Sequence, residues 1–321
     1  MSVLYLDAAT VSGLAIDRGQ ARRAVIESFA AYHRGEAKSR PKSSIEVAPG
    51  HLFQTMIAAS EAHGLVATKW LGMAPASGSG GAHIDAMIAL NDHQSGRLLA
   101  IMDGSVITGI RTAAMSAAAA EFLARPDSRT IGFVGSGLQA REHLLAMTAL
   151  LPGLDRARIL RSASASSRSL ADLARGHGLA AELIDDAESL LARSDVIITS
   201  VPARPGFSPF LDPGWIAPGA FVAAVDIGRS WRPESLRRID LMTTDDHDQQ
   251  AAQAPLASDL GPRGTFDADL AELSAGAGPG RQDPRQRAMF LFRGFALGDL
   301  ALAAEIYRLA QAAGSGIPLP R

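Results

Sequence analysis

The chain of 321 residues contains no cysteine. This absence excludes disulfide bonds, thiolate metal sites, iron–sulfur clusters and cysteine nucleophiles together. The eight histidines show neither the H-x-x-x-H nor the H-E-x-x-H spacing of common zinc sites. We therefore predict that the protein has no metal site, and that its chemistry depends on lysine, arginine, aspartate or a bound organic cofactor.

The sequence also lacks a strong net charge and a long hydrophobic run. With 31 basic and 33 acidic residues the formal charge is −2, so no positive field exists to hold nucleic acid or an anionic membrane surface. The longest apolar candidate, residues 113–124, is interrupted by Glu121 and is shorter than the roughly 18 residues that a membrane helix needs. Residues 1–23 have no basic start, so we predict no signal peptide and a cytoplasmic location.

The length predicts about two domains at roughly 150 residues each. In the first part of the chain, residues 17–35 have the spacing of an amphipathic helix. Three apolar segments separated by turn signals then predict strands at Gly64–Leu71, Ala82–Leu90 and Leu98–Asp103. Neighbouring strands with few helices between them favour a mostly antiparallel sheet.

The pattern changes near Thr108. An alanine-rich helix is predicted at Ile110–Arg125, and after it apolar strands alternate with helices. The predicted strands are Ile131–Val134, Ala157–Leu160, Val196–Thr199, Phe221–Val225 and Leu241–Thr244, and the predicted helices are Leu138–Leu150, Ser167–His177, Ala187–Arg193 and Phe295–Ala313. This alternation is typical of a doubly wound parallel sheet.

The strongest local motif is Gly132–Ala140, GFVGSGLQA, which fits G-x-G-x-x-A between a predicted strand and a predicted helix. Gly135 permits a tight turn, Gly137 lets the backbone approach a pyrophosphate, and Ala140 is small enough for close packing of the helix on the strand. The helix N-terminus provides free N–H groups for the phosphates. The predicted cofactor-binding residues of this loop are Gly135, Ser136, Gly137, Leu138 and Gln139.

The end of the second predicted strand bears on which dinucleotide binds. A site that recognises the ribose 2′-hydroxyl of NAD(H) needs an acidic residue about 20 residues after the glycines. The segment at that position here is Arg161–Ser164, RSAS, which has no carboxylate. Arg161 and Ser162 can instead receive a 2′-phosphate, which favours NADP(H) over NAD(H). The alternative, that Arg161 and Arg168 are ordinary surface arginines, leaves NAD(H) possible.

Two further segments have less specific patterns. The acidic run Asp245–Asp248 could bind a cation, although we favour a cap for a helix at Gln249–Ala254. The glycine-rich segment Ser77–Gly81 precedes a strand rather than a helix, which favours a surface loop or lid over a phosphate loop.

Three ordered blocks of the sequence resemble one known family. Ala100–Ala118 (AIMDGSVITGIRTAAMSAA), Gly132–Ala140, and Gly294–Asp299 (GFALGD) with the helix after it are similar to motifs of the ornithine cyclodeaminase/mu-crystallin family. The resemblance implies a Rossmann doubly wound parallel sheet together with a second α+β domain for substrate binding and dimerisation. The implied ranges are 1–114 for the substrate-binding and dimerisation domain, 115–294 for the Rossmann domain, and 295–321 for a C-terminal helix that returns to the first domain.

The resemblance also implies a reaction. The members of the family suggest an NAD(P)H-dependent reductase of a small imino acid, of the ketimine or delta(1)-pyrroline-2-carboxylate type, or an amino-acid dehydrogenase. In either case hydride would be transferred to Cα of a C=N bond. One alternative is an ornithine cyclodeaminase, which depends on NAD and releases ammonia as ornithine becomes proline. The other is a non-enzymatic, NADP-dependent ligand-binding protein like mu-crystallin. A homodimer is implied in each case.

The resemblance implies a role for each of four residues. Arg111 would clamp the substrate carboxylate, because guanidinium pairs bidentately with carboxylate. Lys42 would assist it at a position where the family usually has arginine, with Arg40 as the competitor. Lys69 would exchange the proton, although from its pattern alone it could be an edge-strand lysine facing water. Asp226 would be an acid close to the substrate, or a cap of the following turn.

The family blocks also imply contacts to the dinucleotide. Thr112 would lie against the phosphates, as a hydroxyl beside a helix start. Ser200 and Val201 would face the nicotinamide ribose, and Arg293 would approach the nicotinamide.

Overall fold

The computed structural model describes residues 2–75, 82–202, 206–252 and 265–320. The segment Ser77–Gly81, predicted as a loop or lid, lies outside these ranges. The chain divides into two compact units, residues 1–115 with 294–321 and residues 116–293.

The first unit contains an eight-stranded sheet in the order β16-β1-β7-β6-β5-β4-β2, with β3 also paired to β4. The strands are β1 Ser2–Leu6, β2 Ala37–Ser39, β3 Ser43–Ala48, β4 His51–Ser60, β5 Leu65–Pro75, β6 Ala82–Asp92, β7 Leu98–Asp103 and β16 Ile317–Pro320. Among these pairs only β1 with β7 is parallel. The prediction of a mostly antiparallel sheet is therefore confirmed.

The two faces of this sheet differ in how far their side chains are buried, because successive side chains of a strand point to opposite sides. On β5, Ala67 and Lys69 are buried, whereas Trp70 is 46% exposed. The helix Ala296–Ala313 packs against β4, β5 and the helix Arg18–His33 within this unit. Its alanine-rich sequence allows close approach, and Gly314, at φ 59°, ends it in the left-handed conformation.

The first three helices are α1 Ala8–Gly13, α2 Arg18–His33 and α3 Gly104–Leu123. The predicted start of α3 at Ile110 is wrong, because the helix begins at Gly104, where the Asp103 carboxylate accepts a hydrogen bond from the Val106 N–H at 2.8 Å. α3 is long and apolar enough to cross a membrane by length and composition, but 78% of its apolar window is buried inside the fold, as in the core helix of a globular protein.

The second unit contains an all-parallel sheet in the order β10-β9-β8-β11-β12-β15-β13-β14. Its strands are β8 Thr130–Val134, β9 Arg156–Leu160, β10 Ala180–Ile184, β11 Val196–Thr199, β12 Phe221–Ala224, β13 Leu241–Thr244, β14 Ala268–Asp269 and β15 Ala288–Leu291. The other α-helices of the described residues are α4 Leu138–Leu150, α5 Ser166–Gly176, α6 Ala187–Ala192, α7 His247–Ala252, α8 Leu270–Ser274 and, in the first unit, α9 Ala296–Ala313. Strands buried on both faces explain the continuous apolar runs, and the predicted doubly wound α/β fold is confirmed.

Candidate functional site

Three ionisable side chains meet in the interior of the first unit. The Lys69 ammonium on β5 lies 3.2 Å from the Asp299 carboxylate on α9, and the Arg111 Nε on α3 lies 3.2 Å from the same oxygen, Oδ1. Lys69 and Asp299 are each 1% exposed and Arg111 is 6% exposed. The alternative of a water-facing Lys69 is therefore wrong, because alternation along β5 turns this side chain toward α9.

Burial changes the acid–base properties of this cluster. Loss of hydration lowers the pKa of Lys69 to about 8; the Asp299 carboxylate opposes this shift and the Arg111 guanidinium adds to it. Both the ammonium and the amine form of Lys69 are consequently accessible near neutral pH. A lysine in this condition can give a proton to, or take one from, a group that it contacts.

Glycines leave room for the Arg111 guanidinium. A Cβ on Gly294, whose φ is 86°, would lie 2.5 Å from Arg111 Nη1, and a Cβ on Gly298 would lie 2.8 Å from Met115 Sδ. Arg111 Nη1 itself is 3.6 Å from Met115 Sδ. A side chain at Gly294 would therefore displace the Arg111 guanidinium, and a side chain at Gly298 would displace the Met115 sulfur that the guanidinium contacts.

Asp299 is the member of the cluster for which no sequence motif predicted a role. Its Oδ2 is buried and has no hydrogen-bond partner among the described residues. A buried carboxylate oxygen without a donor is costly, so it is a place where a ligand N–H could bind. The only sequence signal was a single aspartate within an otherwise apolar stretch of helix, Ala296–Ala304.

Lys42 lies in the connection between β2 and β3 and is half-buried, while the competing Arg40 on the same connection is exposed. The Arg40 N–H donates to the Ile57 carbonyl at 3.4 Å and continues the edge pairing of β2. Pro41 stands between them. The assignment of Lys42 to the carboxylate clamp stays a prediction.

Thr112 differs from its predicted surroundings. It lies in the third turn of α3 rather than beside the helix start, because α3 begins at Gly104. Its hydroxyl donates to the Thr108 carbonyl at 2.7 Å. A hydroxyl has one proton, so in this rotamer Thr112 can accept a hydrogen bond but cannot donate one to a phosphate.

The glycine loop between β8 and α4 has the geometry of a phosphate cradle. Gly135 has φ 101°, and a Cβ there would lie 2.8 Å from the Ser200 carbonyl oxygen. Gly137 is the N-cap of α4, makes no side-chain cap and has open space where a Cβ would be. The first N–H groups of a 13-residue helix are thus left for a ligand. Ala140 is fully buried against the sheet, and Leu138 is exposed at the loop.

A chain of hydroxyls joins this loop to the end of β9. Ser136 Oγ lies 2.7 Å from Ser166 Oγ, which lies 2.6 Å from Ser164 Oγ, which in turn lies 3.0 Å from Ser162 Oγ. Two predicted cofactor residues, Ser136 and Ser162, are therefore brought together. Gln139 contributes a buried Oε1 that has no hydrogen-bond partner in the described part of the chain.

Asp226 follows β12 at the carboxyl edge of the parallel sheet and is 4% exposed. Its carboxylate accepts hydrogen bonds from Thr199 Oγ1 at 2.9 Å and from Ser230 Oγ. Burial raises the pKa of Asp226, and these two hydroxyls act in the opposite direction. The next residue, Ile227, has φ 60°, a conformation that β-branched residues rarely adopt.

The remaining predicted contacts follow two strands of the second unit, β11 and β15, which flank β12. Ser200 has a buried Oγ without a partner among the described residues, and the Val201 carbonyl accepts from Arg229 Nη1 at 3.1 Å. The Arg293 N–H donates to Asp245 Oδ2 at 3.1 Å. All of them follow β11 or β15, where open parallel sheets bind ligands.

The acidic run Asp245–Asp248 forms a helix cap, as favoured from the sequence. Asp246 Oδ1 accepts from the Gln249 N–H at 2.6 Å, and α7 begins at His247, two residues earlier than predicted; residues 253 and 254 lie outside the described ranges. Ligand atoms of His247, Asp269 and Glu272 lie within 4.8 Å of one another. The two acids already form the capping box of α8, and Glu272 also contacts His247.

Comparisons with known proteins identify the family of the chain. A family model described as the ornithine cyclodeaminase/mu-crystallin family matches residues 4–314. Ketimine reductase mu-crystallin of Mus musculus is 31% identical over 225 residues, which cover 69% of this chain and 68% of that protein.

Two solved structures share the whole fold. The complex of Thermococcus litoralis delta(1)-pyrroline-2-carboxylate reductase with NADH and L-proline has a TM-score of 0.88 at 26% identity and covers 98% of this chain and 99% of its own. An archaeal alanine dehydrogenase dimer with bound NAD has a TM-score of 0.83 at 25% identity, and the match covers 100% of this chain and 99% of that chain. Because the family model matches nearly the full length, this chain belongs to the ornithine cyclodeaminase/mu-crystallin family.

Proposed function

We propose that this protein is an NAD(P)H-dependent reductase of a small imino acid. The observation that carries the proposal is the buried Lys69–Asp299–Arg111 cluster, in which a lysine with a pKa of about 8 stands beside an arginine. Reduction of a C=N bond needs a held carboxylate, a proton for nitrogen and a hydride for carbon. The relatives act on imines and amino acids, which agrees with these requirements.

Each residue of the cluster has a distinct task in the proposal. Arg111 binds the substrate carboxylate through the guanidinium nitrogens that do not contact Asp299, with Lys42 as a second cation. Lys69 donates the proton that the imine nitrogen gains, and Asp299 favours the ammonium form of Lys69 that makes this donation possible. The low exposure of all three residues in the cluster excludes water and strengthens these charge interactions.

The second unit binds the dinucleotide in this proposal, and the open helix N-terminus at Gly137 fits its phosphates. A reduced nicotinamide, when bound, supplies the hydride. Arg161 and the hydroxyl chain that begins at Ser162 can bind a 2′-phosphate, so we propose NADPH as a cofactor beside NADH. The related structures contain NADH or NAD, so both cofactors belong in every assay.

The substrate class is tested with a panel of imines. We expect the protein to oxidise NADPH or NADH with delta(1)-pyrroline-2-carboxylate, delta(1)-piperideine-2-carboxylate, or pyruvate or oxaloacetate with ammonia, measured by absorbance. The product should be the corresponding amino acid, identified by chromatography. No turnover with any of these imines, in the presence of a dinucleotide that binds, would contradict the proposal and favour a mu-crystallin-like binding protein.

Ornithine cyclodeaminase activity is the second candidate, and Asp226 is the observation that favours it. A buried carboxylate with a raised pKa can take a proton from a side-chain ammonium group. This activity would release ammonia from ornithine without net change in the dinucleotide. Measuring ammonia and the nicotinamide absorbance in the same sample separates the two reactions.

We also propose that the protein is a homodimer assembled through the open face of the first sheet. Large apolar side chains line this face, with exposures from 37% to 46%, and the rings of Phe53 and Trp70 stack 6.0 Å apart. Their neighbours on the same face are Ile57 and Met87. An apolar surface of this kind is typical of a protein interface, and the related alanine dehydrogenase is a dimer.

The proposed dimer is tested by introducing a negative charge at the centre of its interface. Native protein should have about twice the 33.5 kDa chain mass in light scattering, and Trp70→Glu should be monomeric because the interface would bury an unpaired carboxylate. Trp70→Phe keeps an apolar ring and should stay dimeric. A native monomer, or a dimeric Trp70→Glu, would contradict this interface.

A further inference from the structure

Asp185 brings a carboxylate to the edge of the sheet where a dinucleotide ribose is recognised. In doubly wound folds this recognition takes place at the carboxyl end of the second strand, which is β9 here. β10 pairs with β9 in parallel, with Ile184 opposite Leu160. Arg161 and Asp185 therefore follow adjacent strand ends and lie next to each other, although 24 positions separate them in the chain.

The two side chains form a direct ion pair. Arg161 Nε donates to Asp185 Oδ1 at 2.5 Å, and the Arg161 main-chain N–H donates to the Ile184 carbonyl at 2.8 Å. The adjacent Asp186 has a different role, because its carboxylate caps α6 through the Glu188 and Ser189 N–H groups. Asp185 is thus the acidic group that faces the guanidinium expected to receive a 2′-phosphate.

This pair has opposite consequences for the two cofactors. A 2′-phosphate must share the Arg161 guanidinium with a carboxylate and is repelled by that carboxylate. A 2′-hydroxyl carries no charge and can donate a hydrogen bond to the same carboxylate, which is how acidic residues at this edge recognise NAD. The serine hydroxyls from Ser162 to Ser136 are neutral and can serve either group, so the charge discrimination falls on Arg161 and Asp185.

We propose that Asp185 is a specificity-determining residue for the cofactor: it holds Arg161, restrains the affinity for NADPH and supports the binding of NADH. The proposal rests on the proposed function in one respect, since both need a dinucleotide bound at the Gly135 loop. It adds that the cofactor preference depends on the Asp185 carboxylate, which follows β10, as well as on the segment that follows β9.

The test measures dinucleotide binding without substrate. Purified full-length protein is titrated with NADPH and with NADH, following nicotinamide fluorescence, and the two Kd values are compared for the native protein and for Asp185→Asn. We expect the Kd for NADPH to fall about five- to tenfold, because one like charge is removed and Arg161 is released. The Kd for NADH should rise about threefold as the carboxylate acceptor is lost.

A matched control comes from the same unit. Asp172 also pairs with an arginine, Arg175, at 2.8 Å, and the side-chain exposures of this pair, 74% and 54%, are close to the 75% and 50% of Asp185 and Arg161. Asp172→Asn should leave both Kd values within twofold of native. Arg161→Gln should weaken NADPH binding more than NADH binding.

The outcomes separate this inference from the proposed function. An unchanged ratio of the two Kd values in Asp185→Asn, or an equal change in Asp172→Asn, would overturn the role of Asp185 and leave the reductase proposal intact. Failure of the native protein to bind either dinucleotide would overturn both. A ratio that moves toward NADPH in Asp185→Asn alone supports the inference whichever imine proves to be the substrate.

Discussion

Replacing Lys69 by alanine is expected to lower kcat for imine reduction by about 10³-fold, because general acid catalysis contributes roughly 10²- to 10⁴-fold in rate. The side chain is buried, its pKa is about 8, and no second lysine takes part in the ion pairs of Asp299 within the described residues. The affinity for the dinucleotide should not change, since the Gly135 loop belongs to the other compact unit. Steady-state kinetics and fluorescence titration measure the two effects separately.

A lysine on the same sheet supplies the control. Lys38 lies on β2 and is exposed, so Lys38→Ala should keep its activity within twofold of native. In the native enzyme the reduction rate should fall as the pH rises through about 8, because Lys69 then loses the proton that it donates. Full activity in Lys69→Ala would remove Lys69 from the mechanism.

Replacing Asp299 by asparagine is expected to change the pH dependence of the reaction. The Asp299 carboxylate raises the pKa of Lys69, so its loss lowers that pKa, and the alkaline limb of the pH–rate profile should move at least about one unit toward lower pH. Activity at pH 7.5 should fall about threefold or more and recover in part at pH 6. This partial recovery distinguishes a positioning role for Asp299 from a purely structural one, which would lower the rate equally at every pH.

Two further variants sharpen the Asp299 experiment. Glu305→Gln removes a carboxylate of the same helix, one that pairs with Arg308 at 2.6 Å, and should leave the pH profile unchanged. Asp299→Ala also removes the polar group and leaves buried cations unpaired, a change that costs about 3–5 kcal/mol of stability, so its melting temperature should fall. An unchanged pH profile in a folded Asp299→Asn protein would contradict the role of Asp299.

The local patterns of the sequence predicted much of the fold. The predicted bounds of Leu98–Asp103, Leu138–Leu150 and Val196–Thr199 agree with the structure, because each segment has one clear periodicity between strong turn or cap residues. β4, at His51–Ser60, was not identified, since polar and apolar residues are mixed along it and its inward face is defined by its neighbours. The start of α3 was also wrong, because the cap at Asp103 lies before the alanine-rich region begins.

The cofactor loop and the reactive cluster differ in how far the sequence could describe them. Gly135, Gly137 and Ala140 are close in the chain, so their spacing already predicts a turn, an open helix N-terminus and close packing. Lys69 and Arg111 were predicted from the family blocks, but the carboxylate that joins them comes from Asp299, 230 residues after Lys69. Such a pair depends on which helix packs over which strand, and periodicity within one element carries no information about that.

The sequence by itself determined the class of the fold, the phosphate-binding loop and the absence of thiol chemistry, because these depend on residue types and on short-range spacing. The tertiary structure decided the ionisation of Lys69, since its pKa follows from burial and from two charges on other elements. It also decided the surroundings of Arg161. The sequence after the second strand has no carboxylate, and parallel pairing of β10 with β9 brings Asp185 to that place, because strands that are distant in the chain become neighbours at the edge of one sheet.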